Sequence, residues 1–368
     1  MGVSRRDFAK LGAMGLVAQW GPGGLGQAVG GRRIGYAVIG LGRIATHFME
    51  GTRNSTQSKI TALVSGHRDK AERIAAQYGV PRESIYSYED FDRIAQNRAV
   101  DAVYVALPNS MHAEYTIRAA KAGKHVLCEK PMEIDSPRCV QMIEACKAAH
   151  VKLMIAYRLH YEPTHLKALE IVRSGKLGKI QFMDANHGSN MRAGEWRLTK
   201  ALGGGGPMFD HGVYGLNTFR MFLGEEPSSH QAMISTPDQD GRYNEVEENV
   251  QWVSRFPSGA LCSGAASYGV ELGGYWRLHG PWGWLQMNSL TYQGQHLFGH
   301  YAAEPEVGAR WIEVDEASQE KDPMQFTRQV DHFSDCILRD RTPDTPGEDG
   351  LADLRALEAV YKAAGVKL

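Results

Sequence analysis

An aspartate and a tyrosine in Asp210-His211-Gly212-Val213-Tyr214, together with a lysine in Glu129-Lys130-Pro131, are the residues of this chain whose types could share one piece of chemistry. Pro207 fits the first turn of a helix expected to run to about Leu223, so Asp210 and Tyr214, four apart, fall on one face. Lys130 emerges from an apolar run, and Pro131 keeps it extended. An ammonium can stabilise negative charge on a neighbouring phenol, and a phenol beside a lysine and a carboxylate is a general acid/base for a hydroxyl proton. Each residue also has a plainer use. Lys130 could end a strand at the surface, Asp210 could complement a helix dipole, and Tyr214 could be a core aromatic.

The elements that must position these residues alternate. Strands are expected at 34–39, 60–65, 102–106 and 125–128, with helices at 69–78, 112–122 and 137–150 and another opening near Arg43. Between the first strand and its helix lies Gly40-Leu41-Gly42-Arg43-Ile44-Ala45. Gly40 allows the tight turn, Gly42 lets the backbone approach a pyrophosphate, and Ala45 permits close packing, with the helix N-terminus facing the anion. This predicts an α/β Rossmann domain over 32–157 that binds a dinucleotide, with Lys130 at the carboxyl edge of its sheet. The second strand runs into Ser65-Gly66-His67-Arg68-Asp69-Lys70 without the acid that would bind a ribose 2′-hydroxyl. A hydroxyl and two cations suit the 2′-phosphate of NADP; alternatively Arg68 and Lys70 are solvated and Asp69 caps the helix.

Over 158–368 the pattern changes to an α+β domain. Helices near 163–174 and 207–223 are interleaved with runs at 179–186, 250–256, 260–268, 275–279 and 282–287, which read as an open, largely antiparallel sheet. Its outer face, carrying some of Trp276, Trp282 and Trp284, is a candidate dimer surface. A last helix, 351–364, is expected to pack back on the first domain.

Composition narrows the partners. With 41 basic and 42 acidic side chains, nothing marks the chain for nucleic acid or an anionic membrane, and a small molecule is the expected ligand. The 5 cysteines form no C-x-x-C pair and are expected as buried free thiols. His296 and His300 lie in strand-like sequence without a third ligand, so no metal site is expected. At the N-terminus Ser4-Arg5-Arg6-Asp7-Phe8-Ala9-Lys10 precedes a weakly apolar run too short to span a bilayer. Residues 1–31 read as a twin-arginine signal for export in the folded state, hence a periplasmic location, with a basic tail on a cytoplasmic protein as the alternative.

Leu107-Pro108-Asn109-Ser110-Met111-His112, Glu129-Lys130-Pro131-Met132, the Trp196-Arg197 pair with the glycine run 203–206, and Asp210-x-Gly212-x-Tyr214 together resemble the Gfo/Idh/MocA family, in its glucose-fructose oxidoreductase branch. The resemblance covers roughly 34–365. It implies a cis Lys130–Pro131 bond, Lys130, Asp210 and Tyr214 as catalytic residues, and Leu107, Asn109 and His112 on the nicotinamide side. It also implies that Tyr88, Glu129, Arg158, Trp196, Arg197 and Tyr292 complete the cofactor and sugar pocket, with Lys130, Arg158, Asp210, Tyr214 and Tyr292 touching sugar. The activity implied is oxidation of a cyclic aldose to its lactone on tightly bound NADP, followed by reduction of a second sugar, in a homodimer or homotetramer. An aldose dehydrogenase with exchanging NADP is the alternative. An NAD-dependent glycosidase is disfavoured because Lys130 suits carbonyl reduction, and a non-catalytic sugar sensor would have no use for Lys130 and Tyr214 together.

Overall fold

The computed structural model describes residues 31–304 and 310–368, so the signal reading of 1–31 falls, but for Gly31, outside the described residues. Strand β1 (Ile34–Ile39) is buried along its whole length, as a strand covered on both faces must be. It pairs in parallel with β2 (Ser58–Val64) on one side and β4 (Ala102–Val105) on the other. With β3 (Ile85–Tyr86), β5 (His125–Glu129) and β6 (Leu153–Ala156) the parallel sheet runs β3-β2-β1-β4-β5-β6. Helices α1 (Arg43–Asn54), α2 (Arg68–Tyr78), α3 (His112–Lys121) and α4 (Ser136–Ala148) lie in the crossovers. The strand order reverses between β1 and β4, the place where such sheets open a crevice at their carboxyl edge. Each crossover ends or begins on a local signal. Gly79 closes α2 in the left-handed region, and Asp135 caps α4 by accepting from the Arg138 amide.

After α5 (Pro163–Arg173) the chain builds a second sheet of eight strands. These are β7 (Phe182–Gly188), β8 (Ser229–Ser235), β9 (Asn249–Arg255), β10 (Leu261–Ser267), β11 (Leu272–Gly280), β12 (Gly283–Asn288), β13 (His296–Ala302) and β14 (Trp311–Ala317). Their order is β14-β13-β12-β11-β7-β10-β9-β8, and only β7 and β10 pair in parallel. Helix α6 (Val213–Leu223) lies against its inner face, where Gly215 brings the helix backbone onto Ala185 and the Trp252 ring. Helix α7 (Met324–Leu338) returns to the first sheet, packing Phe326 on Gly51 and bonding Ser334 to the Tyr36 hydroxyl at 2.9 Å. Helix α8 (Gly347–Ala363) holds the start of α4 through Glu358, which accepts from the Ser136 amide at 2.7 Å.

The expected architecture is present, with local corrections. The strand expected at 179–186 begins at Phe182, after the turn at Gly178, and ends at Gly188. Trp276 faces inward and is fully buried between His165 and Phe222, because it lies on the inward side of the β11 alternation. Trp282 and Trp284 remain outside, where Trp284 packs on Phe298 and His300. All five cysteines are buried free thiols. His296 bonds Asp315 at 2.6 Å and His300 packs on Trp311.

Candidate active site

The first turn of the sheet builds a cradle. Gly40 adopts φ +81°, and a Cβ there would lie 2.4 Å from the Ala106 carbonyl, so only glycine lets β1 turn this close to the β4 edge. At Gly42 a Cβ would meet nothing within 4 Å. Open space therefore stands before the unpaired amides of α1, and the residues fit a dinucleotide pyrophosphate. Ile44 turns inward to the core, while Arg43 is exposed and pairs with Glu195 at 3.1 Å.

Two groups of predicted cofactor residues are held largely by partners within the chain. At the end of β2, Ser65 accepts from the His67 amide and Lys70 is exposed, but Arg68 donates to Glu72 at 3.0 Å and to the carbonyls of Ile85 and Arg82. Arg68 thus ties α2 to β3 and the turn before it, because the carbonyls of Ile85 and Arg82 lie within its reach. Tyr88 is half-buried beside Gly66 and packs edge-on to Tyr115. On the nicotinamide side, Leu107 is buried. His112 lies between the carbonyls of Leu107 and Pro131, at 2.9 and 3.0 Å, and Asn109 donates to the Gly203 carbonyl at 2.9 Å. Both side chains therefore shape the pocket wall with their polar atoms already engaged. The Glu129 carboxylate likewise turns into the sheet to accept from the Tyr104 hydroxyl, and burial holds its pKa up.

The catalytic candidates converge. Lys130 leaves β5 through a cis bond to Pro131, as the resemblance implies. Its Nζ donates to the Asp210 carbonyl at 2.8 Å and to Asp210 Oδ1 at 3.0 Å, and stands 4.2 Å from the centre of the Tyr214 ring. An ammonium has three N–H bonds, so one remains for a ligand oxygen. Asp210 lies on a widened π turn, Met208–Gly212, and not on the regular helix that Pro207 predicts. The wide turn precedes α6 and sends both Asp210 and Tyr214 toward Lys130. The second Asp210 oxygen accepts from Arg197 Nε at 2.9 Å, and the Arg197 guanidinium stacks 4.5 Å over Trp196. Glu195 is thus shared by Arg43 and, at 3.9 Å, by Arg197.

Arg158 is held from within the chain. It is buried, and its terminal nitrogens donate to the carbonyls of Thr291 and Leu290 and to Gln325. Its guanidinium lies over the rings of Tyr292 at 4.7 Å and Tyr214 at 5.2 Å. Tyr292 stacks on His47, whose other side is held by Asp322.

Charge in this cluster is balanced. Burial would raise the Asp210 carboxyl, but Arg197 and Lys130 outweigh it and hold the pKa well below the usual aspartate range. Burial pulls Lys130 down, yet Tyr214, Asp210 and Glu129 together leave its pKa above the ordinary lysine value. Both groups are therefore charged at neutral pH. Negative charge developing on the Tyr214 oxygen would meet two cations, Lys130 and Arg158. Sequence reasoning missed two histidines here. His211 was visible inside the quoted motif, and its Nε2 lies 3.1 Å from Ser189 Oγ. His187 packs against His211 and Tyr214, and only its phase with Met183 and Ala185 on β7 could have marked it.

A parallel sheet with a glycine cradle at its switch point, and a lysine, tyrosine and aspartate at the adjoining edge, define a dinucleotide-dependent oxidoreductase. Residues 34–157 match the family model "Oxidoreductase family, NAD-binding Rossmann fold", and residues 165–286 match the GFO/IDH/MocA C-terminal domain. The chain belongs to the Gfo/Idh/MocA oxidoreductase family. It is 30% identical over 336 residues to the D-xylose 1-dehydrogenase [NADP(+)] of Haloarcula marismortui, covering 89% of this chain and 90% of that one. It is 27% identical to the 1,5-anhydro-D-fructose reductase of Ensifer adhaerens, covering 89% and 96%. Among solved structures, the aldose-aldose oxidoreductase of Caulobacter crescentus, complexed with glycerol, superposes with a TM-score of 0.85 at 42% identity, covering 92% of this chain and all of that one. The chain is accordingly a sugar oxidoreductase of this family with an NAD(P)-binding domain.

Proposed function

We propose that the protein keeps NADP as a resident cofactor, oxidises a cyclic aldose at the anomeric carbon to the lactone, and reduces the carbonyl of a second sugar in the same pocket. One observation carries the reading: Lys130 Nζ bridges to Asp210 at 3.0 Å and lies 4.2 Å over Tyr214, at the edge of the sheet that holds the glycine cradle. Bound in the cradle, the dinucleotide supplies the hydride acceptor for the first sugar and the hydride donor for the second. The protein groups handle the proton. Tyr214 takes it from the anomeric hydroxyl and later returns it to the oxygen of the second carbonyl. Lys130 steadies the charge on both oxygens, and Asp210 fixes the Lys130 ammonium between them with Arg197 holding its far oxygen. The likeness to the NADP(+) D-xylose 1-dehydrogenase supports NADP, and the likeness to the aldose-aldose oxidoreductase supports a two-sugar cycle. At the ribose end Ser65 and Lys70 remain to meet a 2′-phosphate.

Retention of the cofactor fits export in the folded state through the twin-arginine segment, since a compartment outside the cytoplasm offers no NADP to exchange. The outer face of the eight-stranded sheet, with Phe182 and Trp311 exposed beside Trp284, is the surface proposed for a homodimer or a homotetramer. The test is a single turnover. Purified, dialysed protein given an aldose alone should form one equivalent of reduced nicotinamide and stop, then resume when a second carbonyl sugar is added. Protein that reacts only when NADP is supplied in solution is the ordinary dehydrogenase.

A further inference from the structure

His187 is the polar side chain at the site for which the proton chemistry above has no use. It lies near the end of β7 in phase with Met183 and Ala185, so it faces α6 and the widened turn and not the outer face that carries Asp184. Its ring lies 5.8 Å from that of Tyr214 and 4.3 Å from that of His211. The charged groups acting on it are His211, Lys130, Asp210 and Arg158. Buried imidazoles elsewhere near the pocket are tied down: His112 between two carbonyls, His211 to Ser189, and His160 to Asn217. His187 Nδ1 is enclosed without any hydrogen-bond partner. His165 is also unpartnered, but it is boxed by Phe222 and Trp276, away from any reacting group. Lack of a partner alone therefore decides nothing; its coincidence with the Tyr214 wall does.

We infer that His187 reads the sugar, exchanging a hydrogen bond with a ring hydroxyl that flanks the reacting carbon, and takes no part in proton transfer. Burial, then His211 and Lys130, keep the imidazole uncharged, with Asp210 opposing them only in part. A neutral imidazole carries one N–H and one lone pair, so it can donate to a hydroxyl or accept from it, as the hydroxyl requires. A buried group left unpaired by a substrate lacking that hydroxyl penalises the substrate. His187 is on this account a specificity residue, whereas Lys130 and Tyr214 act on the reacting atoms of any sugar.

This inference rests on the sugar-oxidoreductase reading, and the experiment separates their failures. The holoprotein and its His187→Leu and His187→Gln variants, each with cofactor in place, are given a parent aldose and its monodeoxy analogues in turn. Dissociation constants are read by calorimetry, and single-turnover rates by reduction of the bound nicotinamide. In the natural protein one deoxy position should bind about 10-fold or more weaker than the parent. In His187→Leu that ratio should fall to about 1 while the ratios at other positions stand. His187→Gln, which keeps a donor and an acceptor, should restore part of it. The limiting rate on the parent sugar should stay within about 3-fold in both variants. A natural protein that reacts with aldoses while both variants keep its full pattern of discrimination overturns the role of His187 alone, as does a variant that loses rate on every sugar without change in binding. A natural protein that neither binds nor oxidises any aldose overturns the sugar reading and this inference with it.

Discussion

At the scale of residues, the account rests on Tyr214 and Lys130 acting as one proton-transfer unit. Tyr214→Phe removes the transferable proton and should lower turnover by about 10²–10⁴-fold with cofactor still bound. Lys130→Met should act similarly, and the double variant should be little worse than either single one. Steady-state rates of the three variants check this, and multiplying losses would show independent roles. The three catalytic candidates were legible in the sequence because each sits in a short motif, at a strand end before proline or in the segment that leads from Pro207 into a helix. The partners that hold Arg68 and Arg158 were not legible for the opposite reason. A long cationic side chain finds whichever carbonyls the tertiary structure brings within reach, here those of Ile85, Arg82, Leu290 and Thr291, and no local pattern announces them.

At the scale of elements, the end of β2 makes a test. If Lys70 and not Arg68 meets the 2′-phosphate, Lys70→Ala should weaken NADP relative to NAD by about 1.5–3 kcal/mol, while Arg68→Ala should lower thermal stability and leave the preference standing. Competitive loading of the unfolded and refolded variants with the two dinucleotides measures it. The loop after cis-Pro131 makes another. Glu133 is fully buried, and burial lifts its carboxyl to about 7. A carboxyl raised in the folded state binds its proton more tightly there than in the unfolded chain. Its stabilising protonated form is complete below the unfolded value and is lost as pH rises toward 7, an effect of about 3 kcal/mol. Thermal melts should therefore show stability falling between about pH 4.5 and 7, and Glu133→Gln should flatten that part of the curve. A curve unchanged by the substitution would remove Glu133 as its cause. Alternation and periodicity made four of the six strands of the first sheet readable as short buried runs, while β3 and β6, of two and four residues, were not read. They also gave most of the second sheet. What they could not give is the widened turn at Met208–Gly212, which costs one residue of register and has no signature apart from its neighbours, nor the direction of Trp276, which depends on where β11 begins to alternate.

At the scale of the whole molecule, the cradle, the catalytic cluster and the twin arginines at the N-terminus form one argument. On the proposed export route the cofactor is loaded before export and kept, and both proposed half-reactions are carried out on sugars. Arg5 and Arg6 changed together to lysine should hold active, loaded enzyme in the cytoplasm, read by fractionating cells and assaying each fraction. The most direct measurement of the central claim follows the hydride itself. Extensively dialysed protein, with no added nucleotide, is given an aldose deuterated at the anomeric carbon together with a second carbonyl sugar, and both products are examined by mass spectrometry. The account predicts that the deuterium appears on the carbon of the reduced sugar over many turnovers, with NADP still bound in near-stoichiometric amount at the end. Dialysed protein that contains no cofactor and transfers no deuterium until NADP is supplied would contradict it.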